Sequence, residues 1–178
     1  MPFIRQCPTP RSEKRLRTFI ALQPQRPQRD ALAAFAKSLC RDTDARPVRA
    51  ENIHLTLAFI GELERPLAVT LSEALVQAQF KPIPPWPLTR LGRFGSILWC
   101  AGDALPQLLE ASVSVRDLLE ALQISYDKKR FAAHITLARN FRAALPAPAD
   151  ELPELELSAP RLFVSERDNA GILRYRCL

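Results

Sequence analysis

Apolar positions in this chain recur with two spacings, and the switches between them lay out the elements. Thr18 to Leu22 is a short apolar run closed by Pro24, the pattern of a strand. Leu32, Phe35, Ala36, Leu39 and Cys40 return every three to four residues and predict a helix from Gln28 to Arg41. Asn52 to Gly61 alternates apolar residues with His and Thr and predicts a strand stopped by Gly61. Pro66 suits a first helical turn, and Leu67, Leu71, Ala74, Leu75 and Ala78 supply the stripe of a second helix. The run Pro82-Ile83-Pro84-Pro85-Trp86-Pro87 lacks the donors of a central strand and predicts an extended edge or a connector. Leu88–Leu91 and Ser96–Ala101 read as strands with Gly92 and Gly95 at the turn between them. Pro106 opens a third helix with Leu108, Ala111, Val115, Leu118, Leu119 and Leu122 on one face. Arg130 to Ala138 reads as a strand and Ala143 to Pro153 as a proline-rich loop. Leu155–Leu157, Arg161–Glu166 and Ile172–Cys177 read as closing strands, the last two joined around Asn169-Ala170-Gly171. This order predicts an α+β fold of mostly antiparallel sheet with helices outside. Tight turns between consecutive strands leave no room for parallel crossovers.

With 178 residues the chain is one domain, and 47% hydrophobic and 25% charged residues exclude a disordered chain, a collagen or a membrane bundle. No run of 18 apolar residues exists, so no membrane is expected. Residues 1–16 are basic without an apolar core, and we assign them as a disordered leader ahead of a domain at 17–178. Cys7, Cys40, Cys100 and Cys177 form no C-x-x-C pair and have no histidine at zinc-ligand spacing. They read as reduced thiols of a cytoplasmic protein, with no metal and no cofactor. The net charge is +6, and 20 of the 25 basic residues are arginine, whose planar fork fits phosphate.

The chain has two histidines, and both stand in the same pattern. His54-Leu55-Thr56-Leu57-Ala58 and His134-Ile135-Thr136-Leu137-Ala138 lie 80 residues apart. From composition, both histidines acquiring the Thr-Leu pair by chance has odds on the order of 10⁻⁵, so an internal duplication is the better account. On a strand, His54 shares a face with Thr56 and His134 with Thr136, while the aliphatic residues between them face the helices. Two lobes related by a pseudo-two-fold would bring both polar faces into one cleft, with Arg139 beside them. One neutral and one protonated imidazole can act as base and acid, and hydroxyls and a guanidinium can hold an oxyanion without a metal. That set suits attack on a phosphodiester with a poor leaving group. Phe19 and Phe131 are candidates for stacking on a base. Arg130, Arg161, Arg167, Arg174 and Arg176 read as a solvated basic face.

The paired motifs resemble those of the 2H phosphoesterases, and among them the RNA 2′,3′-cyclic phosphodiesterases, historically called 2′-5′ RNA ligases. The likeness runs from Arg17 to Leu178. It includes Arg17-Thr18-Phe19-Ile20-Ala21-Leu22, the stretch Asn52 to Glu62, His134 to Arg139, and Leu162-Phe163-Val164-Ser165 followed by Gly171 and Tyr175. It departs at Ala133, where members often carry proline. The resemblance implies two pseudo-symmetric lobes around a central cleft, no metal, and opening of a 2′,3′-cyclic phosphate to a 2′-phosphate. It further implies His54 as proton donor to the 3′ oxygen and His134 as the acceptor activating water. Thr56 and Thr136 would assist, with Arg139 on the phosphate. The partner would be an RNA end or nucleotide carrying the cyclic phosphate, and the protein a monomer. The same cleft chemistry would serve reversible 2′-5′ ligation or hydrolysis of another cyclic phosphodiester. The basic excess alone would serve a non-catalytic module binding RNA ends.

Overall fold

Proline sets the start of every described α-helix. The computed structural model describes residues 15–145 and 152–178. Helices α1 (Arg26–Leu39), α2 (Arg65–Gln77) and α3 (Pro106–Ala121) each carry proline in the first two positions, where its missing N–H costs no hydrogen bond. In α1 the side chain of Gln28 also reaches back to the backbone N–H of Gln25 (3.2 Å), closing a capping box. The strands are β1 (Leu16–Leu22), β2 (Arg46–Pro47), β3 (Leu55–Leu63), β4 (Trp86–Pro87), β5 (Arg90–Phe94), β6 (Ile97–Ala101), β7 (Ile135–Arg139), β8 (Glu154–Leu155), β9 (Arg161–Arg167) and β10 (Leu173–Cys177). The α+β reading with mostly antiparallel sheet is borne out.

Several boundaries differ from the sequence reading. Leu16 opens β1 and is 7% exposed, so it belongs to the domain and not to the leader. Residues 1–14, with Cys7, and residues 146–151 of the proline-rich loop lie outside the described residues. Gly61 does not stop β3; it sits within the strand at φ +86°, where the pairing with β1 slips past Ile60. Gly92 is not at the turn but inside β5, and Gly95 (φ +57°) makes the turn with Ser96. The strand expected from Arg130 begins only at Ile135, because residues 130–134 lie beyond the reach of β6 pairing, which ends at Cys100 opposite Ile135. The proline-rich connector contributes β4, which pairs with β8 in a separate two-stranded ribbon. There the fully buried Trp86 donates its indole N–H to the Asp103 carbonyl (2.8 Å).

The main sheet runs β10-β9-β1-β3-β7-β6-β5, with β2 also paired to β7. Two halves meet at one residue pair, Leu55 opposite Ile135. Each half contains a strand, a helix and a motif strand, β1-α1-β3 and β6-α3-β7, and the registers match. Ala21 and Leu22 pair with Thr56 and Leu55; Trp99 and Cys100 pair with Thr136 and Ile135. Each ladder then skips the same motif position, Leu57 in one half and Leu137 in the other. Leu55 and Ile135 are equivalent positions that pair antiparallel with each other, so the pseudo-two-fold axis passes between them. The helices cross this joint: α1 packs against β2 and β7, and α3 against β3. Leu32, Ala36, Val115 and Leu119 are fully buried there together with Leu55, Ile135 and Leu137.

The position of Gly92 is dictated by Trp99, its cross-strand neighbour. A Cβ at residue 92 would stand 2.0 Å from the indole ring. Gly92→Ala is expected to lower unfolding stability by roughly 1–3 kcal/mol, as overpacking does. Urea denaturation followed by tryptophan fluorescence measures it.

Candidate active site

The motif strands separate their side chains as the alternation requires. Leu55, Leu57, Ile135 and Leu137 are buried, whereas His54, Thr56, His134 and Thr136 are partly exposed on the opposite face. With Leu55 against Ile135, the antiparallel register sets position 54 beside 136 and position 56 beside 134. Both histidines stand one residue ahead of their strands and are held by the same device. His54 Nδ1–H donates to the Asn52 carbonyl (2.7 Å) and His134 Nδ1–H donates to the Ala132 carbonyl (2.7 Å). A carbonyl accepts only, so each ring keeps its proton on Nδ1 and leaves Nε2 for chemistry. The Thr56 hydroxyl lies 3.0 Å from His54 Nε2.

A cavity of about 290 Å³ opens on this face, bordered by His54, Thr56, Thr136, Arg139, Phe19 and Tyr175. Arg46 and Arg49 add further positive charge at its rim. His134 borders the neighbouring cavity together with Phe131. The two rings still share one field, since the charge of His134 acts on the proton affinity of His54. Aromatic rings stand edge-on to each imidazole: Tyr175 to His54 (5.2 Å, 87°) and Phe94 to His134 (5.2 Å, 90°). Phe19 is only 4% exposed, packed between His54 (4.8 Å) and Phe163 (5.6 Å), so it braces the imidazole more than it offers a face to a ligand.

Sequence reasoning missed Asn52, Phe59, Tyr175, Phe94 and Trp99. Asn52 is 6% exposed; its amide donates to the Leu173 carbonyl (2.9 Å) and accepts from the Tyr175 N–H (3.1 Å), fastening β10 to the residue that orients His54. In the second copy the orienting carbonyl belongs to an alanine, so the repeat carries no side-chain signal for it. Phe59 is 39% exposed on the cavity wall with the Arg17 guanidinium over its ring at 5.4 Å. Arg174 pairs with Glu51 and Asp168, and Arg176 with Glu166, so these two arginines are committed to holding β10.

A family model described as LigT-like phosphoesterase matches residues 22–102. An RNA 2′,3′-cyclic phosphodiesterase of Geobacillus stearothermophilus is 29% identical over 160 residues, 86% of this chain and 51% of that protein. Another of that name from Aeropyrum pernix is 32% identical over 100 residues, 53% of this chain and 56% of that protein. The aligned region thus spans about half the length of these relatives. The crystal structure of Escherichia coli LigT with 3′-AMP superposes with a TM-score of 0.77 at 23% identity, covering 93% of this chain and 96% of that one. Residues 22–102 are thus similar in sequence to the LigT-like phosphoesterases, and the chain shares the fold of the solved ones. A second solved structure, of a phosphoesterase, gives a TM-score of 0.78 at 22% identity and coverages of 93% and 96%.

Arg46, Arg49 and Arg139 set positive charge around the first imidazole. Burial pushes the pKa of His54 down to about 4, helped by the positive charges of His134 and Arg139 and opposed by the Asn52 carbonyl. His54 is therefore neutral in the free protein at neutral pH. Its folded pKa lies below that of an unfolded histidine, about 6.5. Stability is then complete above pH 6.5 and falls as the pH drops toward 4, by about 2–3 kcal/mol from this group. Unfolding free energies across that window should show the slope in the native chain and lose most of it in His54→Gln.

Proposed function

We propose that this chain is a metal-independent RNA 2′,3′-cyclic phosphodiesterase, a cytoplasmic monomer that opens a terminal cyclic phosphate to a 2′-phosphate. The observation that carries this reading is the pair of Nδ1-anchored imidazoles, each with a threonine two residues on, placed about a pseudo-two-fold, with His54 and both threonines bordering one cavity with Arg139. The name borne by the relatives supports the same reaction class. The three described cysteines are free thiols, which suits a reducing compartment.

The resemblance implies the role of each residue in the steps. Arg139, Thr56 and Thr136 bind the non-bridging oxygens of the phosphate. The nucleoside occupies the cavity beside Phe59 and Tyr175. Nε2 of His134 takes a proton from water, whose oxygen bonds to phosphorus as the bond from phosphorus to the 3′ oxygen breaks. Nε2–H of His54 gives its proton to that 3′ oxygen. His134 then releases its proton and His54 regains one. His54 begins neutral, so the substrate anion itself must raise its proton affinity by cancelling the charge of Arg139. The donor is thus armed only when a phosphate is present.

Purified protein should open adenosine 2′,3′-cyclic phosphate in excess EDTA and yield the 2′-phosphate. His54→Ala and His134→Ala should each lower kcat by about 10²- to 10⁴-fold. A 4-nitrophenyl phosphodiester needs no protonated leaving group, so it should restore much of the His54→Ala rate and none of the His134→Ala rate. Full activity on the cyclic nucleotide in either variant would refute the scheme. The acid limb of kcat/KM, which reports the free protein, should lie near pH 4, and that of kcat at higher pH.

A further inference from the structure

A second cavity, of about 530 Å³, lies on the far side of His134 and is not used by the chemistry above. Its floor is aromatic. Phe94 is 48% exposed, lies 5.1 Å from Trp99, and both rings stand against His134. Phe131 lines the same groove. Three arginines, Arg90, Arg116 and Arg130, border it, and no acidic residue does. Its outer wall is α3, where Leu109 and Val113 are 58% and 48% exposed. Three polar groups on the wall have no partner among the described residues: the Trp99 indole N–H, the Nε–H of Arg116 and the hydroxyl of Ser112, which is 1% exposed.

We propose that this groove holds the single-stranded chain of the RNA whose cyclic end sits at the histidines. The proposal rests on the phosphodiesterase reading above. Stacking on Phe94 and Phe131 requires no particular base, and the arginines follow the phosphates. A cavity of about 290 Å³ accepts one nucleoside, so a longer RNA needs a second surface, and this groove is bordered by His134, two residues before the Thr136 that borders the first cavity. The other neighbouring hollow, walled by Arg17 and Arg167, shares Phe19, Phe59, Arg139 and Tyr175 with the first cavity and includes Glu166. It extends the nucleoside cavity and offers no aromatic floor of its own.

The test compares adenosine 2′,3′-cyclic phosphate with a pentaadenylate bearing the same cyclic end. The native chain should show a KM at least about tenfold lower for the pentamer. Arg130→Glu and Val113→Glu, both at exposed positions, should abolish that advantage and leave mononucleotide turnover unchanged. Arg130→Gln should flatten the dependence of log KM on log salt by about 0.7 for the pentamer alone. Fluorescence anisotropy of labelled pentaadenylate 2′-phosphate should weaken in the same variants, a readout independent of turnover. Equal KM values for the two substrates in the native chain would overturn the proposal, as would equal losses on both in the variants. Loss of the pentamer advantage through Arg17→Glu instead would also overturn it, by routing the chain the other way. Absence of mononucleotide turnover in the native chain would refute the phosphodiesterase reading itself, a separate failure.

Discussion

Two motif strands touch at one antiparallel pair, Leu55 with Ile135, and the site exists because of where that pair lies. Each residue follows a histidine and precedes a threonine. A pairing shifted by one position would turn an imidazole into the apolar layer beneath. A single pair is a slender joint for a sheet, and the helices compensate. α1 lies against the strands of the second half and α3 against the motif strand of the first, so the burial of Leu32, Val115 and Leu119 spans the joint. Deleting such a side chain from a core ordinarily costs 2–5 kcal/mol, more than a sheet hydrogen bond contributes. The geometry of the polar cleft is therefore set by apolar packing on the opposite face.

The same placement fixes the charge problem. A half-buried imidazole beside a second imidazole and a guanidinium is a poor place for a proton, and His54 is neutral at neutral pH. Backbone carbonyls from Asn52 and Ala132 hold both rings in one tautomer at no electrostatic cost to the Nε2 side. Both rings are thus oriented by the protein's own backbone.

Much of this was legible in the sequence because it rests on period. The alternation His-x-Thr-x, repeated, gave the shared polar face, the buried aliphatic face and the two-fold relation of the halves. What was not legible depended on contacts between distant segments. Gly92 looked like a turn residue, but it is glycine because Trp99 covers it. Phe19 looked like a stacking platform, but Phe163 and His54 enclose it. Tyr175 and Phe94 reach the histidines from strands at or near the edges of the sheet, a placement no local pattern encodes. Leu16 was lost to the leader because a strand has no capping signal to mark its start.

The central claim is that both imidazoles face one anion. With two histidines in the chain, the protein gives two imidazole resonances, and inorganic phosphate can be titrated against them by NMR. The account predicts that both resonances move with one dissociation constant, and that the protonation of His54 shifts upward from about pH 4 as phosphate saturates. Movement of one resonance alone, or a His54 titration indifferent to phosphate and to replacement of His134 by glutamine, would contradict it.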